Sequence, residues 1–72
     1  MGVFIMAVAR VTEVTASSTK GWDDCANEAV VRASKSLRGI TGIEVVSMKA
    51  KVENGKISEY RLTSRITFVL ED

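Results

Sequence analysis

Residues 43–70 read IEVVSMKAKVENGKISEYRLTSRITFVL, and they decide the fold. Asn54-Gly55 stands between two runs rich in β-branched residues, the strongest short-range signal for a β-hairpin. Ile43 to Val52 reads as one strand, with Val46, Met48, Ala50 and Val52 on one face and Ser47, Lys49 and Lys51 on the other. Ile57 to Leu70 reads as the next. There Tyr60, Leu62, Ser64, Ile66 and Phe68 share a face, and Glu59, Arg61, Thr63, Arg65 and Thr67 share its opposite. A strict two-residue turn puts Val52 opposite Ile57 but Lys49 opposite Tyr60, which mixes an apolar face with a charged one. One extra residue puts Ala50 opposite Tyr60 and Met48 opposite Leu62. Register follows the buried face, so a three-residue loop or a bulge is expected here.

Upstream, Val8 to Thr15 alternates imperfectly and is rich in β-branched residues, which predicts a further strand. Ala16 to Gly21 reads as a loop in which Ser18 or Thr19 caps a coming helix. That helix is expected from Trp22 to Arg38. Trp22, Ala26, Ala29, Ala33, Leu37 and Ile40 recur every three or four residues, with Cys25 and Val30 at the border of the stripe. Glu28 precedes Arg32 by four in the favourable order. Lys35, Arg38 and then Gly39 make the stop. The order is β-α-β-β. The fold class is α+β: a three-stranded antiparallel sheet packed on one helix, as one domain over residues 1–72, with residues 1–7 a strand extension or a loose N-terminal arm.

The last strand spans about 43 Å and the helix only about 25 Å, so part of the sheet is left for other subunits. Composition agrees. A chain of 72 residues with one Cys and no His has no disulfide or zinc site to staple it, and 46% of its residues are hydrophobic, with a mean hydropathy of +0.11. Self-assembly is the remaining device. A net charge of +1 argues against nucleic acid as a partner. The apolar start is too short to span a membrane, and a single thiol fits a reducing cytoplasm. No His, activated Cys or phosphate-binding loop suggests an enzyme. Asp23, Asp24 and Glu28 lack the spacing of a calcium loop. Arg61 and Arg65, with Lys49 and Lys51 close by, read as partners for Glu44, Glu53 and Glu59 or as an anion-binding surface.

Taken together, Ser17-Ser18, Gly21-Trp22-Asp23-Asp24, the run Ala29 to Arg38, Glu44-Val45 and the ending Phe68 to Asp72 resemble the dodecins. The likeness covers nearly the whole chain from Val8 and rests on order, length and ending rather than on one motif. It implies a hollow homododecamer that stores FMN or riboflavin in pairs, stacked between aromatic rings at a two-fold interface. The cofactor positions it implies are Gly42, Glu44, Arg61 and Arg65, with no metal. Gly42 stands where the family's stacking tryptophan stands, two residues before Glu44. Arg61 stands where a flavin-contacting glutamine does, and Ala16 where the loop before the helix has glycine. These departures open an alternative: a structural cage without flavin, or a variant that binds anions or calcium.

Overall fold

The computed structural model describes residues 8–70; residues 1–7 and 71–72, and with them the expected N-terminal extension and the acidic ending, lie outside the described residues. The elements run β1 (Val8–Ser18), α1 (Trp22–Ser34), β2 (Ile40–Glu53) and β3 (Lys56–Leu70). The β-α-β-β fold is as expected, and the three antiparallel strands order as β1-β3-β2. The C-terminal strand is thus central and both its neighbours are edges.

Both hairpin expectations hold in combination. The turn is a two-residue one, with Asn54 at φ 53° and Gly55 at φ 73°, the pair of left-handed residues that a type I′ turn needs. Val52 pairs with Ile57, and then the register shifts by one so that Lys51 faces Glu59, Ala50 faces Tyr60 and Met48 faces Leu62. Ser58 is the extra residue, and its hydroxyl donates to the Lys51 carbonyl at 3.3 Å. A second bulge at Val46 corrects the expected face assignment of β2. Val45, not Val46, stands opposite Ser64 on the helix side.

Other boundaries differ from the sequence reading. β1 runs three residues further, so Ala16 to Ser18 are strand, pairing with Leu62, Arg61 and Tyr60. The helix ends at Ser34 rather than Arg38. Its last turn tightens, with the Lys35 and Ser36 amides donating to Arg32 and Ala33, while the Ser34 hydroxyl donates to the Val30 carbonyl at 2.7 Å. Serines compete with the helix backbone in this way. Ile40, expected on the helix stripe, opens β2. The expected side-chain cap is also absent: the N-cap is Gly21. Ser18 instead organises the loop, accepting from the Lys20 amide and donating to Asp24 Oδ2 at 2.6 Å.

The core is small. Cys25 and Ala29 of α1 press on Leu62, Ser64 and Ile66 of β3, all buried. Cys25, expected at the border of the stripe, is at its centre, with its thiol donating to the Tyr60 carbonyl at 3.5 Å. Trp22 closes the helix N-terminal end edge-on against Tyr60, ring centroids 4.9 Å apart, and its indole donates to the Lys49 carbonyl. Small helix residues permit this close approach, but 13 residues of helix extend only about 20 Å. The 15 residues of β3 extend about 50 Å. The helix covers β1 and β3 and leaves β2 bare, so that Val45 is 50% and Met48 54% exposed.

Ser64 Oγ is buried with no hydrogen-bond partner. Ser64→Ala removes this unsatisfied hydroxyl and is expected to leave stability unchanged or raise it by about 1 kcal/mol. Leu62→Ala, two residues away on the same face, is expected to cost about 2–5 kcal/mol. Urea unfolding of the two variants separates these outcomes.

Candidate functional site

Alternation along β3 puts Arg61, Thr63, Arg65 and Thr67 on the face away from the helix. The register makes rows across that face. Val11, Thr67 and Gly42 form one, and Glu13, Arg65 and Glu44 the next. Thr15, Thr63 and Ser47 follow, and then Ser17, Arg61 and Lys49. All four candidate residues therefore share one face. Gly42, Glu44 and Arg65 occupy adjacent rows, whereas Arg61 is four residues from Arg65, about 13 Å along the strand.

Gly42 is a gap in this face. A Cβ built on it meets no atom within 4 Å. Gly39, three residues earlier, is the opposite case. Its φ is +73° and a Cβ there would lie 2.9 Å from the Val69 carbonyl oxygen. Its own carbonyl accepts from the Val69 amide at 2.9 Å, which ties the start of β2 to the end of β3. The bend from loop into strand is made at Gly39.

The charged groups are mutually engaged. Arg65 Nε donates to Glu13 Oε1 at 3.4 Å, with Glu44 opposite on its other side. Arg61 holds Glu59 at 3.0 Å. Thr15 and Thr63 share a hydroxyl hydrogen bond of 2.9 Å within their row. Glu13 escapes sequence reasoning as a neighbour of the site, because only the pairing of β1 with β3 sets it beside Arg65.

Other candidates are placed elsewhere. Among the described residues no three acidic, Cys or His side chains gather to hold a metal. Asp24 binds Ser18, and Glu28 pairs with Arg32 at 2.8 Å. Burial pushes the Cys25 thiol up from its ordinary value, and the Asp24 carboxylate adds to this, so it is protonated near neutrality. Two grooves flank the helix. One of about 470 Å³ lies between α1 and edge strand β1, by Val14, Ala16, Ala29 and Ala33. The other, about 520 Å³, lies by Lys20, Trp22, Asn27 and Met48. Neither contains Gly42, Glu44, Arg61 or Arg65, whose face is open rather than concave. Among the described residues no helix is long and apolar enough to cross a membrane.

Fold and site together define a small α+β domain with an open, polar sheet face and an apolar edge. Comparison with known proteins narrows that class. The dodecin family model matches residues 8–71, and the chain belongs to the dodecin family. No curated protein sequence matches it. Among solved structures, a dodecin from Streptomyces coelicolor is 33% identical, with 92% of this chain and 94% of that one covered and a TM-score of 0.86. A tryptophan-to-phenylalanine variant of Thermus thermophilus dodecin is 25% identical, covering 93% and 100%, with a TM-score of 0.88. A calcium-chelating dodecin from Mycobacterium tuberculosis, described with a novel calcium-binding site, is 31% identical, covering 89% and 91%, with a TM-score of 0.76.

The two glycines make a paired prediction. Gly39→Ala combines a left-handed φ with a clash against backbone and is expected to cost more than about 1 kcal/mol. Gly42→Ala is expected to be neutral within about 0.5 kcal/mol. Thermal unfolding midpoints of the two variants check both.

Proposed function

We propose that this chain is the subunit of a dodecin-type cage, a homododecamer in the cytoplasm, that holds a flavin without catalysis. The ligand is FMN or riboflavin, and it lies on the helix-free sheet face beside Gly42, Glu44 and Arg65. The observation that carries this reading is the open gap at Gly42, beside the Glu44–Arg65 row. A flat face buries a ligand only when another copy closes over it. The bare apolar strip of β2, with Met48 and Val45 exposed on the helix side of the sheet, favours assembly with further copies. Family membership supplies the flavin and the twelve subunits as the expectation. A protonated, buried Cys25 and the absence of His support storage rather than turnover.

The second reading is a cage without flavin, or one that holds an anion or calcium. Gly42 itself favours it, because a glycine offers no ring to stack on. The calcium-chelating relative adds weight. A calcium site here would draw its ligands from several subunits.

Titration of FMN into the native protein and into Gly42→Trp tests the reading, with flavin fluorescence as the signal and light scattering for the assembly. Native protein is expected to quench FMN with saturation at a fixed ratio to subunits. Gly42→Trp is expected to bind more tightly by roughly 1–3 kcal/mol, the value of one stacked ring. Quenching by Gly42→Trp alone favours the flavin-less cage. Quenching by neither removes flavin from this face, and a monomer in scattering removes the cage.

A further inference from the structure

The groove between α1 and β1 combines an apolar floor with an open strand edge. Its floor is Val14 and Ala16 of β1 and Ala29 and Ala33 of α1, in a space of about 470 Å³. Val14 and Ala16 pair with Ser64 and Leu62, which puts them on the helix side of the sheet. Alanine at three of these four positions leaves the space between the two elements unfilled. Glu28 and Arg32 line the rim and hold each other at 2.8 Å, so the pair adds no net charge. β1 is an edge strand, and an edge presents a row of backbone N–H and C=O groups to an added strand. The arrangement suits an uncharged, extended segment.

The chain carries such a segment in Val3-Phe4-Ile5-Met6-Ala7. It has no charge and no Gly, Pro, Asn or Asp to turn it, and its β-branched and aromatic residues favour an extended strand. It lies outside the residues that match the family model. It joins β1 at Val8, which pairs with Leu70 at the end of the sheet, while the groove lies towards the other end of the same strand. Val14 is six residues from Val8, about 20 Å along β1, and Ala16 is about 26 Å away. Val3 is five residues before Val8, and even doubled straight back its main chain spans about 17 Å. The segment therefore falls short of the groove of its own chain, whereas a second copy presents the same groove without that limit.

We propose that residues 3–7 of one copy add as a strand to the free edge of β1 in a second copy and bury their apolar side chains in its α1–β1 groove. The contact is head-to-tail, since each copy gives an arm and receives one. It rests on the assembly reading above and needs no flavin. It straps copies together by a surface separate from the bare strip of β2.

The test is a disulfide between copies, which forms only where two Cα atoms come within about 7 Å. Phe4→Cys and Ala33→Cys are placed in one chain, with the buried Cys25 left as it is. The assembled protein is oxidised and run on a denaturing gel without reductant. A ladder of linked copies is expected only when both new cysteines are present. Ile5→Cys with Ala33→Cys samples the other side of an extended arm. Absence of linkage from both pairs overturns the proposal, and so does a disulfide that closes within one copy. A second measurement keeps both native groove and native thiol. Phe4→Ser combined with Ile5→Ser is expected to move disassembly on dilution, read by light scattering, to about tenfold higher protein concentration or more. A double serine variant that stays assembled as the native protein does overturns the arm and leaves the cage standing. A native protein that is monomeric in scattering removes the cage and the arm together.

Discussion

The pairing of Met48 with Leu62 is the constraint on which the rest depends. A hairpin closed by Asn54-Gly55 alone would carry its turn register down the whole sheet, and every side chain of β2 would meet the wrong face of β3. Burial of Leu62 and Ile66 contributes about 1.5–3 kcal/mol each, more than a single extra strand residue costs in lost ladder bonds. The chain therefore keeps the favoured turn and absorbs the mismatch at Ser58. That one unpaired residue sorts the sheet into an apolar face for the helix and a polar face for everything else.

The helix follows from the same sorting. Its contact stripe is made of Ala and Cys, so its backbone lies close to β3 and Ser64 fits beneath it unpartnered. Close approach limits what the helix covers. A short rod of small residues seals β1 and β3 at one end and reaches β2 only through Trp22. The exposed Met48 and Val45 are the far side of that geometry, and they give a second copy of the chain something to bury. A small core and a bare strand are one fact, since a larger helix would have raised the first and hidden the second.

Element order, sheet composition and the hairpin bulge were legible in the sequence, because each is written in two- or four-residue periodicity. The ends of elements were not. Apolar spacing carried the helix reading on to Ile40, but the Ser34 side chain and the Gly39–Val69 contact end it sooner, and that contact is made across the sheet. The faces of β2 before Ser47 were lost for a related reason: the bulge falls on one of two adjacent valines, Val45 and Val46, and hydropathy does not distinguish them. At the candidate site, Arg61 and Arg65 were read onto one face of β3, and the bulge at Val46, which the sequence did not reveal, is what brings Gly42 and Glu44 onto the same face. Glu13, the residue that engages Arg65, belongs to a strand whose register is invisible without β3.

That engagement bears on what a group approaching this face would meet, because both arginines of the face already have carboxylate partners. Arg65 lies between Glu13 and Glu44, so a ligand that uses Arg65 must compete with carboxylates held in register on both sides.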